Sequence, residues 1–401
     1  MQFNKTMIDR RAFLASLGGA AAMLSLRKSS FSQDRKTNAA QSMLVYIGTY
    51  TSGKSKSEGI YIYKLDLKTG ALSPLDIAKN VIEPSYLVLD HDRRYLYSVN
   101  ETVDFEGKKS GAVSSFAVDQ KSGRLEYLSK QASLGGAPCH LSVTGNGRYV
   151  LAANYVGGNV AVLPSSAGKL RASVDVEQHI GTGPNAERQE SAHAHSITLD
   201  MHERFAVACD LGADKIFIYK FDVVTGKLAA NPAQPFYQTK PGAGPRHFAF
   251  HPNGNYAFVI NELDSTITSL RYDATLGTLR EIVTVSTLPN GWVGENTCAD
   301  LHISPDGKFL YGSNRGHDSI VSYMIDANTG MIKLIEHVST QGKTPRNFAI
   351  DPTGNILLAA NQNSDSIVTF FIDRKTGKLA PTGNTATVPT PVCLKLTPAF
   401  S

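Results

Sequence analysis

Only four cysteines, no apolar run long enough for a membrane span, and no block of like charge beyond the first forty residues occur in this 401-residue chain. The cysteines, Cys139, Cys209, Cys298 and Cys393, lie far apart with no C-x-x-C pair, so the spacing of a zinc site is missing and no metal is expected. They read as buried free thiols, small hydrophobes rather than disulfide partners. A membrane anchor needs roughly 18 or more apolar residues, which the stretch from Ala12 to Leu26 does not reach. Basic clusters that would mark a nucleic-acid or anionic-lipid surface are also missing from the body of the chain. A small-molecule partner is expected instead, with no cofactor and no sign of oligomerisation, hence a monomer.

The charge that exists is concentrated at the start. Lys5, Arg10, Arg11, Arg27, Lys28, Arg35 and Lys36 against Asp9 and Asp34 give the first 41 residues a net +5, the whole net charge of the protein. Arg10-Arg11, then Ala12-Phe13-Leu14, a modest Gly/Ala-rich apolar stretch and a polar tail form the pattern of a twin-arginine export signal. Residues 1–41 are therefore expected to be a signal and its tail, residues 42–401 one domain, and the compartment periplasmic or extracellular.

Two repeats run through residues 42–401. The first is a turn between apolar alternating segments, as in Leu89-Asp90-His91-Asp92-Arg93, Phe250-His251-Pro252-Asn253-Gly254 and Ile303-Ser304-Pro305-Asp306-Gly307. With a partial last copy at Leu396-Thr397-Pro398 it occurs seven times, copies lying about 46 to 56 residues apart, near the length of a propeller blade. The second is Asp-x-x-x-Gly, at Asp66, Asp119, Asp222, Asp273, Asp326 and Asp373, with a degenerate form ending at Gly168. Its glycine follows a polar turn and reads as a hairpin residue at positive φ. Together they predict an all-β fold: a seven-bladed β-propeller of four-stranded antiparallel blades. The repeats are out of phase at the chain ends, so the C-terminal strand Val392 to Leu396 is expected to complete the blade begun at Leu44, closing the ring and removing exposed edges. Two packed β-sandwiches would give no seven-fold count.

Repeat arithmetic also builds a mouth. One column starts the inner strands: Tyr86, His140, Ser196, His247, Asp300, Asn347 and Cys393, preceded by Ser85, Cys139, His195, Arg246, Ala299, Arg346 and Val392. The other ends the next strands: Asn100, Asn154, Asp210, Asn261, Asn314 and Asn361, followed by Glu101, Tyr155, Leu211, Glu262, Arg315 and Gln362. The asparagines, and His202 and His251 in the turn repeat, read as structural. His195, Arg246, Glu262 and Arg346 break the repeat without a packing reason. Arginines suit a carboxylate or phosphate, and His and Glu are readily tuned as acid or base.

Gly181-Thr182-Gly183-Pro184-Asn185, His193-Ala194-His195-Ser196, Gly244-Pro245-Arg246-His247, Asn261-Glu262-Leu263, the run from Ser313 to Ile320 and Thr344-Pro345-Arg346-Asn347-Phe348 resemble the signature segments of the lactonase propeller family. The resemblance spans nearly all of the chain after the signal. It implies lactone chemistry without a cofactor, either hydrolysis of a sugar-acid lactone of the 6-phosphogluconolactone kind or muconate-type cycloisomerisation, with His195, Arg246, Glu262 and Arg346 at the positions implicated in the latter.

The expected function is hydrolysis of an anionic lactone. His195 or Glu262 would activate water, while Arg246 and Arg346 hold the anion or the developing oxyanion; Arg188, His193, His140 and Arg315 are further binding candidates. Glu262→Gln is expected to abolish turnover and spare the fold. A non-catalytic propeller binding a sugar, peptide or protein at the same mouth is the alternative, and turnover separates the two.

Overall fold

The computed structural model describes residues 42–400; the Arg10-Arg11 segment, and with it the expected signal, lies outside the described residues. The described chain forms seven antiparallel sheets. The first blade takes Ser42–Thr49, Gly59–Asp66 and Leu72–Lys79 from the start of the domain and its innermost strand, Pro391–Pro398, from the end. Leu44 pairs with Thr397 and Val45 with Leu396, the closure the phase of the repeats predicts. The second to seventh blades follow in chain order, their innermost strands beginning at Leu87, Pro138, Ala194, Pro245, Thr297 and Pro345.

Seven buried apolar clusters hold the ring, one at each junction between neighbouring blades. At the closing junction Met43, Val45 and Ile47 of the first blade pack on Ile356, Leu358 and Ile367 of the seventh. Each side chain of this size contributes about 1.5–3 kcal/mol when fully buried, so the alternating strands supply the cohesion between blades.

The hairpin repeat is explained by what its residues touch. Asp222 Oδ1 accepts the Val224 amide at 2.8 Å, and Gly226 follows at φ 73°. A side chain at Gly226 would also collide with the Tyr149 ring of the third blade, 2.4 Å from its Cε1. In the other repeat, Asp90, Asp200 and Asp351 accept the amide of the residue that opens the next strand, at 2.7, 3.0 and 2.6 Å. His251 replaces them in the fifth blade and reaches sideways, its Nε2 2.8 Å from the Gly307 carbonyl of the sixth.

Two blades depart from four plain strands. In the third, the outer strand is split into Lys169–Leu170 and Asp175–Gln178; in the fourth, into Lys227–Ala230 and Phe236–Gln238. Pro232 and Pro235 lie in the second interruption, where a residue without an amide hydrogen cannot continue the ladder. All four cysteines are buried free thiols. Among the described residues no helix is long and apolar enough to cross a membrane.

Candidate active site

The inner strands share an irregularity. Register shifts fall between Pro138 and His140, Ala194 and Ser196, Pro245 and His247, Cys298 and Leu301, and Pro345 and Asn347. Cys139, His195, Arg246 and Arg346 are the unpaired residues of four of these bulges. A bulge inserts a residue that makes no rung and re-aims its side chain, so each strand offers one position to chemistry while its ladder resumes on the far side.

Around one mouth of the ring Glu101, Cys139, Tyr155, Arg188, His195, Glu262, Thr297, Arg315 and Arg346 line a cavity of about 330 Å³. Glu262 is its electrostatic centre. Oε1 accepts Arg188 Nη2 at 2.7 Å; Oε2 accepts Arg246 Nε at 2.8 Å and lies 2.9 Å from Arg315 Nη2. Burial alone would raise this carboxyl, but Arg315, Arg246 and Arg188 outweigh it and hold it far below the usual carboxylate range. Such a carboxylate is a weak base, and its chemistry is to gather guanidiniums.

The arginines differ in what they have left to offer. Arg246 is buried beneath Glu262, with Nη1 bonded to the Ala299 carbonyl and 3.2 Å from His247 Nε2; it does not line the cavity. Burial, with Arg315 and Arg346 nearby, brings its guanidinium down to about 10. Arg315 also donates to the Cys298 carbonyl at 2.7 Å, and its Nε has no partner. Arg188 comes from the loop before the fourth blade, where Gln189 is buried and donates to the Leu211 carbonyl at 2.8 Å. Asp210 anchors the same loop by accepting the His193 amide at 2.8 Å and pairing with His179 Nδ1 at 2.7 Å. Arg346 stands apart: it lies over the Tyr50 ring, 5.4 Å from the centroid, and among the described residues has no ion pair.

His195 is a buried bulge residue whose Nδ1 lies 3.8 Å from Cys139 Sγ. Burial first, then Arg246, His247 and Arg346, push its pKa well below 6.5, so the ring is neutral and its lone pair carries no proton. Tyr155 meets it edge-on at 5.5 Å and donates no charge; its hydroxyl accepts Arg188 Nη2 at 3.2 Å.

The structure therefore brings together Arg188, His195, Glu262, Arg315 and Arg346, with Arg246 directly behind. It places two candidates elsewhere. His193 does not line the cavity: it stacks on Tyr155, ring centroids 4.5 Å apart, and bonds Glu190. His140, next to the bulge at Cys139, turns instead into a second cavity of about 330 Å³ inside the ring, with Tyr86, His247, Asp300 and His302. There Asp300 bonds His247 Nδ1 at 2.7 Å and His302 Nε2 at 3.0 Å. A groove of about 580 Å³ between the second and third blades is larger; there Asp90 accepts the Tyr95 amide of its own turn and Asp92 pairs with Arg94 two residues on. The asparagines of the strand-end column hold loops through their carboxamide N–H: Asn100, Asn154 and Asn314 donate to the Ile82, Ser133 and Thr287 carbonyls at 2.6, 2.9 and 2.8 Å. Glu101 and Tyr155 line the cavity although neither was singled out from the sequence; their signal was their place in the strand-end column beside Glu262 and Arg315.

Residues 44–396 match the family model described as "Lactonase, 7-bladed beta-propeller". A 6-phosphogluconolactonase of Bacillus subtilis is 39% identical over 351 residues, covering 87% of this chain and 97% of its own. One from Formosa agariphila is 34% identical, covering 76% and 86%. The solved structure of a periplasmic gluconolactonase from Pseudomonas aeruginosa superposes with a TM-score of 0.83 at 35% identity, covering 89% of this chain and 99% of that one. The family match over residues 44–396 and the relatives agree with the seven-bladed fold: this chain belongs to the lactonase family of seven-bladed β-propellers.

Proposed function

We propose that this protein hydrolyses a sugar-acid lactone of the 6-phosphogluconolactone or gluconolactone type, acting as an exported monomer. The observation that carries the reading is Arg346, a guanidinium lining the cavity with no ion-pair partner among the described residues, in a site that also holds a neutral imidazole. Arg346 receives the carbonyl oxygen as it becomes an oxyanion, a positioned charge of the kind that contributes a few kcal/mol to such a barrier. His195 takes the proton of the attacking water. Arg188 and Arg315, each using one nitrogen on Glu262, turn their remaining N–H groups to the substrate's anionic or hydroxyl groups. Arg246 positions Glu262 from behind, and Glu262 spreads the arginines instead of acting as base. Export is supported by the Arg10-Arg11 pattern and by similarity to a protein described as periplasmic.

The test is acid release from 6-phosphogluconolactone, gluconolactone and a muconolactone, each corrected for spontaneous opening. Acceleration on one of the sugar lactones, lost in Arg346→Ala with the fold intact, is the expected result. A folded protein that accelerates none of them but binds a sugar or acid saturably would overturn the reading in favour of a binding propeller.

A further inference from the structure

Opening a lactone takes a second proton transfer. When the tetrahedral adduct collapses, an aliphatic ring oxygen leaves poorly unless it is handed a proton. His195 has by then accepted one from water, and Glu262 is committed to three guanidiniums.

Glu101 is a carboxyl of another kind. It follows the strand Tyr95–Asn100 of the second blade and lines the same cavity. Its Oε2 accepts the Tyr50 hydroxyl at 3.0 Å and the Ser85 hydroxyl. Among the described residues its Oε1 has no hydrogen-bond partner, and no lysine or arginine forms an ion pair with it. Two hydroxyls on one oxygen and no hydrogen-bond partner on the other, in a residue that lines the cavity, is how a neutral carboxylic acid would sit, carbonyl oxygen anchored and O–H turned to the cavity. The groups around it are Arg346 and Arg246, the Tyr50 and Ser85 hydroxyls, and the Cys139 thiol. Burial raises the Glu101 carboxyl above its ordinary value, more than Arg346, the two hydroxyls and Arg246 lower it. Burial likewise pushes up Tyr50 and Cys139, which face it as neutral groups.

Resting on the lactonase reading above, we infer that Glu101 is the general acid of ring opening, presenting its Oε1 proton to the ester's ring oxygen. Water's oxygen bonds to the carbonyl carbon, its proton passes to His195, and the carbonyl electron pair moves onto oxygen beside Arg346. That pair returns, the bond between carbonyl carbon and ring oxygen breaks, and the proton of Glu101 goes to the departing oxygen. The new carboxylic acid reprotonates Glu101, and His195 releases its proton to solvent.

A lactone whose ring oxygen leaves as a phenoxide needs this proton far less, which supplies the test. Glu101→Gln is compared with wild type on gluconolactone and on dihydrocoumarin, with thermal unfolding as the check on folding. The expected result is a kcat roughly 10²–10⁴-fold lower on gluconolactone with KM little changed, a much smaller loss on dihydrocoumarin, and disappearance of the alkaline limb of the pH–rate profile. Equal losses on the two lactones, or an alkaline limb still present, overturn the inference and leave the lactonase reading standing; a wild type inert on these two and on 6-phosphogluconolactone as well overturns both. Should Glu101→Gln not fold, Ser85→Ala removes one hydroxyl from Oε2 and is expected to move the alkaline limb to higher pH, and an unmoved limb counts against Glu101.

Discussion

Glu262 looks from the sequence like a base and in the structure behaves as a hub. Removing its charge leaves Arg246 buried without a counter-ion, and breaking a buried pair of this sort costs about 3–5 kcal/mol. Glu262→Gln is therefore expected to lower stability by an amount of that order in urea titration, besides losing activity; a variant as stable as wild type would show that the three arginines do not depend on it. The stability part reverses what the sequence suggests, because a strand-end position does not disclose how many guanidiniums converge there. His195, Arg246 and Arg346 were legible because each puts a polar group where the repeat needs none. Glu101 and Tyr155 stood in the same columns, but what distinguishes Glu101, two hydroxyls on one oxygen, is a relation between blades. A pH effect belongs at this scale too. His140, His195 and His247 are all lowered by burial and by neighbouring positive charge, His247 to about 4. The unfolded chain binds protons at these sites first, so stability is complete above pH 6.5 and declines as pH falls toward 4. Melting temperature measured from pH 7 to 5 should fall, and fall less in His140→Gln.

At the scale of the element, the hairpins were legible and the bulges were not. A glycine at positive φ after an aspartate leaves a repeating mark in the sequence, and Gly226 carries a second constraint through Tyr149. Gly226→Ala must accept both a left-handed backbone and a displaced ring, and is expected to cost about 1–3 kcal/mol by urea denaturation; a neutral substitution would mean the third and fourth blades can slide apart cheaply. A bulge adds one residue to one strand and alters no composition, so the columns read from the sequence run straight through it. That is why His140 was expected at the mouth: adjacent residues on either side of an inserted position part company, Cys139 to one cavity and His140 to the other. The split outer strand of the fourth blade had a visible cause in Pro232 and Pro235, but an interruption of the outermost strand does not disturb the count of blades.

For the whole molecule, seven-fold repetition made the architecture readable, and the mismatch of phase at the ends made the closure readable. The closing strand should dominate global stability. Truncation before Pro391 removes the inner strand of the first blade and leaves Ser42–Thr49 with an open edge, so the shortened protein is expected to aggregate or unfold without a sharp transition, as followed by size-exclusion chromatography and thermal melting. The same closure has a topological corollary. The Ala399 amide donates to the Ser42 carbonyl at 3.1 Å, so the two ends of the domain are neighbours. Joined by a short linker they would turn the propeller into a covalent circle, and a circle has no privileged starting point. Exposed hairpin tips such as Val224-Thr225 become candidate new termini, and the order in which the blades are synthesised becomes a variable independent of the ring they form.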